Sequence, residues 1–127
     1  MARIFLAEDQ RELSRMISSS LRIEGHQVES VADGQSALER LLEGKYDLAI
    51  LDIHLPGMSG VEICNQLQAR GRANTPHILV ISADADPHQI QSCLAAGAEA
   101  YLNKPFSLSN LLQSVDNLLG KEPIKTS

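Results

Sequence analysis

The stretch Asp47-Leu48-Ala49-Ile50-Leu51-Asp52 decides how the chain reads. Four consecutive apolar residues between two aspartates are too few for a helix and lack the alternation of a half-buried strand. A strand covered on both faces reads this way, and such strands belong to parallel sheets flanked by helices. Ile78-Leu79-Val80-Ile81 repeats the pattern, and Arg3-Ile4-Phe5-Leu6-Ala7 is a third apolar run that ends in acid.

Working outward, the segments between these runs carry helical spacing. Leu13, Met16, Ile17 and Leu21 recur as one helix face closed by Gly25, and Ala37, Leu38, Leu41 and Leu42 mark a second helix that stops at Gly44. Gln27 to Ala32 alternates as a strand between them. After the Pro56-Gly57 punctuation, Ser59 and Glu62 fit a capping box, in which hydroxyl and carboxylate each meet an orphan backbone donor. Val61, Ile63 and Leu67 come next, with an end near Gly71. Asp86-Pro87 suits an N-cap and first helical position, and that helix runs to about Ala96 before Gly97. Ala100 to Leu102 is a brief strand. Ser107 opens a last helix whose stripe is Leu108, Leu111, Leu112, Val115, Leu118 and Leu119. Strand then helix, five times over, predicts an α/β fold with a five-stranded parallel sheet and helices on both faces.

The 127 residues suit one domain, expected over 1–120, with 121–127 as a tail or the start of a linker. A hydrophobic fraction of 43% and a charged fraction of 21% are those of a globular chain. Eleven basic against sixteen acidic residues leave a net charge of −5, a poor match for a nucleic-acid backbone. Phe5, Tyr46, Tyr101 and Phe106 are the only aromatics, too few for a base-stacking platform. No helix-turn-helix is visible, so direct nucleic-acid contact is not expected. The apolar runs are too short to span a bilayer, and no secretory signal opens the chain. Cys64 and Cys93 lack metal-ligand spacing and read as reduced thiols of a cytoplasmic protein.

Ligand chemistry in open α/β sheets sits at the carboxyl ends of the strands. Glu8 and Asp9 follow the first strand, Asp52 the third, Ser82 the fourth, and Lys104 with Pro105 the fifth. Each alone reads as an ordinary loop, cap or surface residue. Their joint placement brings three carboxylates, a hydroxyl and an ammonium to one sheet edge. Two carboxylates about 4 Å apart repel by roughly 4 kcal/mol at an effective dielectric of 20. A hard divalent ion relieves that, and magnesium takes one or two carboxylates plus phosphate oxygens. Lys104 supplies a point charge for an anion and Ser82 a hydrogen-bond donor. A nucleophilic carboxylate, a metal and cations around an incoming group are what phosphoryl transfer to an aspartate needs.

These motifs resemble the receiver domains of bacterial-type response regulators, of which CheY is a small example. The likeness runs from Arg3 to Leu119 and rests on Ala7-Glu8-Asp9, Leu51-Asp52-Ile53-His54-Leu55-Pro56-Gly57-Met58-Ser59-Gly60, Ile81-Ser82-Ala83 and Gly97-Ala98-Glu99-Ala100-Tyr101-Leu102-Asn103-Lys104-Pro105-Phe106. It implies a flavodoxin-like doubly wound (βα)5 fold with strand order 2-1-3-4-5. It implies Asp52 as phosphoacceptor and magnesium held by Asp9, Asp52, Glu8 through a water, and the backbone carbonyl of His54. It further implies phosphoryl contacts from Ser82, the amide of Ala83 and Lys104, and a cis Lys104–Pro105 peptide. Tyr101 would switch rotamer with Ser82. By itself Tyr101 reads as a half-buried strand aromatic; its place three residues before Lys104 favours the switch.

The resemblance implies a two-component signalling protein rather than an enzyme, apart from phosphoryl transfer to its own Asp52 and slow self-dephosphorylation. Its donor would be a histidine kinase or histidine phosphotransfer protein, and its output partner would meet the fourth helix, fifth strand and last helix. That face also leaves room for a phosphorylation-dependent homodimer. Ser82 stands where threonine is commoner in the family, and Glu8 where aspartate is. His54, with Asp84, flanks the expected path of attacking water, which leaves phosphoryl lifetime open. An aspartyl-phosphate hydrolase of the haloacid dehalogenase type would want an acid at His54 and a cap domain. A flavodoxin-like FMN binder would want a Ser/Thr/Gly-rich loop where Glu8-Asp9-Gln10-Arg11 stands. A phosphorylation-independent interaction domain would not need the acid–hydroxyl–lysine set.

Overall fold

The computed structural model describes residues 1–71, 75–84 and 86–120, so the tail expected over 121–127 lies outside the described residues. Five strands alternate with five helices: β1 (Arg3–Ala7), α1 (Arg11–Ile23), β2 (Gln27–Val31), α2 (Gly34–Leu41), β3 (Leu48–Asp52), α3 (Gly60–Gln68), β4 (His77–Ser82), α4 (Pro87–Ala95), β5 (Ala100–Asn103) and α5 (Leu108–Leu119). The strands form one sheet in the order β2-β1-β3-β4-β5. All four pairings are parallel, as the alternation predicts.

The central strand is β3, and all five of its residues are buried. Its side chains divide between two cores. Leu48 and Ile50 join Ile4, Leu6, Leu79 and Ile81 on one face, under Ile17 and Leu21 of α1 and Leu111, Val115 and Leu118 of α5. Ala49 and Leu51 join Phe5, Ala7, Ile78 and Val80 on the other, under Ala37 and Leu41 of α2, Ile63, Cys64 and Leu67 of α3 and Cys93 of α4. The period-two alternation hidden in each apolar run is thus spent on two helix layers. Burying one such Leu or Ile side chain contributes about 1.5–3 kcal/mol.

Local chemistry starts the helices where the sequence says it should. Ser59 and Glu62 form the complete capping box of α3. Asp86 accepts from His88 N–H with Pro87 in the first turn of α4, and Ser107 accepts from Asn110 N–H at α5. Two residues assigned to core stripes face outward: Met16 is 44% and Leu108 41% exposed. On α1 the inward line runs Leu13, Ile17, Leu21 at four-residue steps, which turns Met16 to its flank. Both cysteines are free and buried. Burial, with Cys93 nearby, pushes the Cys64 thiol up to about 12, so it stays protonated. No helix among the described residues is long and apolar enough to cross a membrane.

Two glycines let helices approach the β3–α3 connection. A Cβ on Gly34 would sit 1.9 Å from the backbone oxygen of Met58, and the Gly34 N–H donates to Pro56 O at 2.9 Å. A Cβ on Gly60 would lie 2.8 Å from the backbone oxygen of Asp52. Gly34→Ala must move backbone against backbone. We expect it to lower the stability by about 3 kcal/mol, the upper end for overpacking, read as a reduced urea midpoint at unchanged m-value.

Candidate functional site

The parallel register sends every strand's carboxyl end to the same edge, and the strand order reverses between β1 and β3, where such folds place their ligands. Asp52 closes β3 and Ser82 closes β4. Backbone bonds continue past the strand ends and hold the first loop residues in place. Glu8 N–H donates to Val31 O at 3.1 Å, Ile53 N–H to Ile81 O at 3.1 Å, and Lys104 N–H to Ser82 O at 2.8 Å. The Lys104–Pro105 peptide is cis.

The acids converge. Glu8, Asp9 and Asp52 each offer a carboxylate oxygen, and the three lie within 4.8 Å of one another. Glu8 and Asp52 are buried, while Asp9 is exposed. Lys104, only 13% exposed at its side chain, places Nζ 2.8 Å from Asp52 Oδ2 and 2.9 Å from Glu8 Oε1. The first contact is a hydrogen bond. The second is an ion pair, and the ammonium is the only group facing the buried Glu8 Oε1 among the described residues. Glu8 Oε2 accepts the Gln10 N–H at 2.9 Å, and Asp52 Oδ1 accepts the His54 N–H at 3.0 Å.

The electrostatics reflect this crowding. Burial raises the Glu8 pKa, and the neighbouring Asp52 charge adds to it, against the pull of Gln10 N–H and Lys104. Burial also works against the Lys104 charge, but its bonds to Asp52 and Glu8 outweigh that and hold its pKa above the ordinary lysine value. Glu8 and Asp52 share the Lys104 ammonium, and Asp9 pairs with no cation among the described residues, which leaves formal negative charge uncompensated. Three convergent carboxylates, two of them buried, are a hard oxygen donor set that fits a divalent cation, with magnesium chemistry favoured over zinc or copper because no Cys or His joins the set.

The remaining predicted residues stand around this centre. Ser82 is fully buried, and its Oγ accepts the Asp84 N–H at 3.0 Å. Ala83 beside it is exposed. Tyr101, half-buried on β5, donates its hydroxyl to the Asp84 carbonyl oxygen and so clasps the β4–α4 loop. The His54 side chain is solvent-facing, with Nε2 3.9 Å from Asp84 Oδ2 across the site. One neighbour was not singled out from the sequence. Gln10 turns its Oε1 toward Lys104 Nζ at 3.5 Å. Its position directly after the acidic pair was the available signal.

The comparisons agree with this geometry. The family profile described as "Response regulator receiver domain" matches residues 4–116. The response regulator ArlR of Staphylococcus saprophyticus is 37% identical over 125 residues, or 98% of this chain, and that of Staphylococcus aureus is 36% identical over the same length. The chain spans about half of these curated relatives, 56% of their length. A response regulator from Chloroflexus aurantiacus superposes with a TM-score of 0.86 at 29% identity, covering 94% of this chain and 98% of that one. The receiver domain of the Pseudomonas aeruginosa sensor histidine kinase PA1611, solved with a magnesium ion in its active-site cleft, superposes with a TM-score of 0.85 at 29% identity over the same shares. A profile match across nearly the whole chain, on a fold that brings the motif residues to one sheet edge, is decisive: this chain belongs to the response regulator receiver domains of two-component systems.

Proposed function

We propose that residues 1–120 act as a phosphoacceptor switch, with Asp52 as the residue that takes the phosphoryl group. The observation that carries this is the Lys104 Nζ contact to Asp52 Oδ2 at 2.8 Å inside a cluster of acids. A buried aspartate at a strand end, held by an ammonium from another strand's end, is a nucleophile with an anion clamp beside it. The donor is a phosphohistidine on a histidine kinase or phosphotransfer protein. An Asp52 carboxylate oxygen bonds to phosphorus and the P–N bond breaks. Its electron pair returns to the imidazole nitrogen, which takes up a proton.

Asp9 and Asp52 would hold magnesium directly, Glu8 through a water, and the His54 backbone carbonyl would complete the protein's share. The ion supplies neutralising charge for the phosphoryl oxygens. Lys104 orients the same oxygens from the other side, with Ser82 Oγ and the Ala83 amide as further donors. Water attack on phosphorus later releases inorganic phosphate and restores the carboxylate, so the chain is a signalling protein without turnover of an external substrate.

The output depends on what Ser82 and Tyr101 hold. Both act on Asp84, Ser82 by accepting its N–H and Tyr101 by donating to its carbonyl. Drawing Ser82 Oγ to a phosphoryl oxygen removes the acceptor of the Asp84 N–H. The β4–α4 loop then shifts, Tyr101 changes rotamer, and the α4–β5–α5 surface presented to an output partner or a second copy is biased to its other state. Incubation with phosphoramidate and magnesium, followed by borohydride trapping and peptide mapping, tests the reading. The expected adduct lies on the peptide holding Asp52, and an adduct confined to any other peptide overturns it.

A further inference from the structure

Gln10 breaks a local rule. It is the N-cap of α1, where Ser, Thr, Asp or Asn is favoured because a short side chain takes an orphan N–H of the first turn. Gln10 makes no side-chain cap. Its amide oxygen instead reaches across the sheet edge to Lys104 Nζ at 3.5 Å, while its backbone N–H fastens Glu8 Oε2 at 2.9 Å. A side chain too long to cap its own helix, and turned to the ammonium instead, is a local departure of the kind found at functional sites.

The ammonium has three donors. Around it stand Asp52 Oδ2 at 2.8 Å, Glu8 Oε1 at 2.9 Å and Gln10 Oε1 at 3.5 Å. Two of these are carboxylates with other work to do: Asp52 becomes an acyl phosphate, and Glu8 belongs to the acid set that suits a cation. Gln10 is the neutral acceptor, with no such claim on it. An acid in its place would add a fourth negative charge to the cluster and hold the ammonium in competition with phosphoryl oxygens.

We propose that Gln10 is a positioning residue for phosphoryl transfer, tethering the Lys104 ammonium over Asp52 through its amide oxygen. The proposal rests on Asp52 being the phosphoacceptor. Gln10→Met keeps the length and removes the acceptor, and because Gln10 does not cap α1, the thermal midpoint stays unchanged. Labelling by phosphoramidate in saturating magnesium is expected to slow about fivefold. In a Lys104→Met background the same substitution changes nothing further, because the two residues act through one contact. The Lys104 15Nζ resonance, assigned by its loss in Lys104→Met, shifts in Gln10→Met, and this readout decides if labelling of Lys104→Met falls below detection. Equal slowing in both backgrounds, no slowing in either, or an unmoved 15Nζ resonance overturns the proposal. Failure of the wild type to label at Asp52 is a different result, and it strikes the phosphoacceptor reading itself.

Discussion

Asp52→Asn is expected to all but stop phosphoryl uptake. Incubated with phosphoramidate and magnesium, the variant labels more than about a hundredfold more slowly than wild type, the scale of loss when the nucleophile itself is removed. The side chain keeps its shape, so the buried end of β3 stays filled. Its amide is neutral, lacks the carboxylate lone pair that attacks phosphorus, and cannot ion-pair with Lys104 at 2.8 Å. The fold survives because one charge leaves a site crowded with acids, which offsets the lost ion pair. Asp33→Asn is the matched control. Asp33 Oδ2 caps α2 by accepting Ser36 N–H at 3.0 Å, and asparagine caps about as well. That variant labels at the wild-type rate. Quantitative mass spectrometry of the acyl phosphate reads all three proteins in one experiment.

Magnesium is expected to have the second largest effect, on stability as well as on labelling. Glu8, Asp9 and Asp52 crowd their charges within 4.8 Å, with a single ammonium between them. A cation that binds this folded cluster and not the unfolded chain stabilises by mass action, by about 2.7 kcal/mol when its concentration is a hundred times Kd. The thermal midpoint therefore rises as magnesium is added and falls back with EDTA, and EDTA also abolishes labelling. Asp9→Asn separates this from a general salt effect. Asp9 is exposed and has no hydrogen-bond or ion-pair partner among the described residues, so the variant loses no internal contact. Its midpoint no longer responds to magnesium, while sodium chloride at matched ionic strength moves neither protein. Calorimetry of the two proteins with and without magnesium checks it.

Much of the fold was legible because the signals are local. The Leu48–Leu51 run, the Ser59–Glu62 capping box and the Asp86-Pro87 start each announce themselves within a few residues, and all three are where the structure has them. Strand order is not a local property. The alternation of strand and helix is satisfied by several parallel orders, and only the family resemblance chose the one found. Spacing alone put Met16 and Leu108 on core stripes, but a stripe has edges, and both lie beyond them. The site was legible as a set of strand ends, since a parallel sheet gathers those ends whatever lies between. Its contacts were not. Nothing in the sequence says that Lys104 reaches Asp52 and Glu8 together, that Gln10 leaves its helix uncapped to meet Lys104, or that Tyr101 fastens the Asp84 carbonyl. Those depend on side-chain directions set by packing between residues as far as 94 positions apart in the chain.

The most direct measurement is a crystal structure of the protein soaked with magnesium and beryllium fluoride, a mimic of the acyl phosphate. The expected structure has beryllium bonded to an Asp52 carboxylate oxygen, Lys104 Nζ and Ser82 Oγ turned to its fluorines, and magnesium among Glu8, Asp9 and Asp52. A fluoride group on any other side chain, or a bare Asp52 still paired with Lys104 in fully loaded crystals, would contradict it.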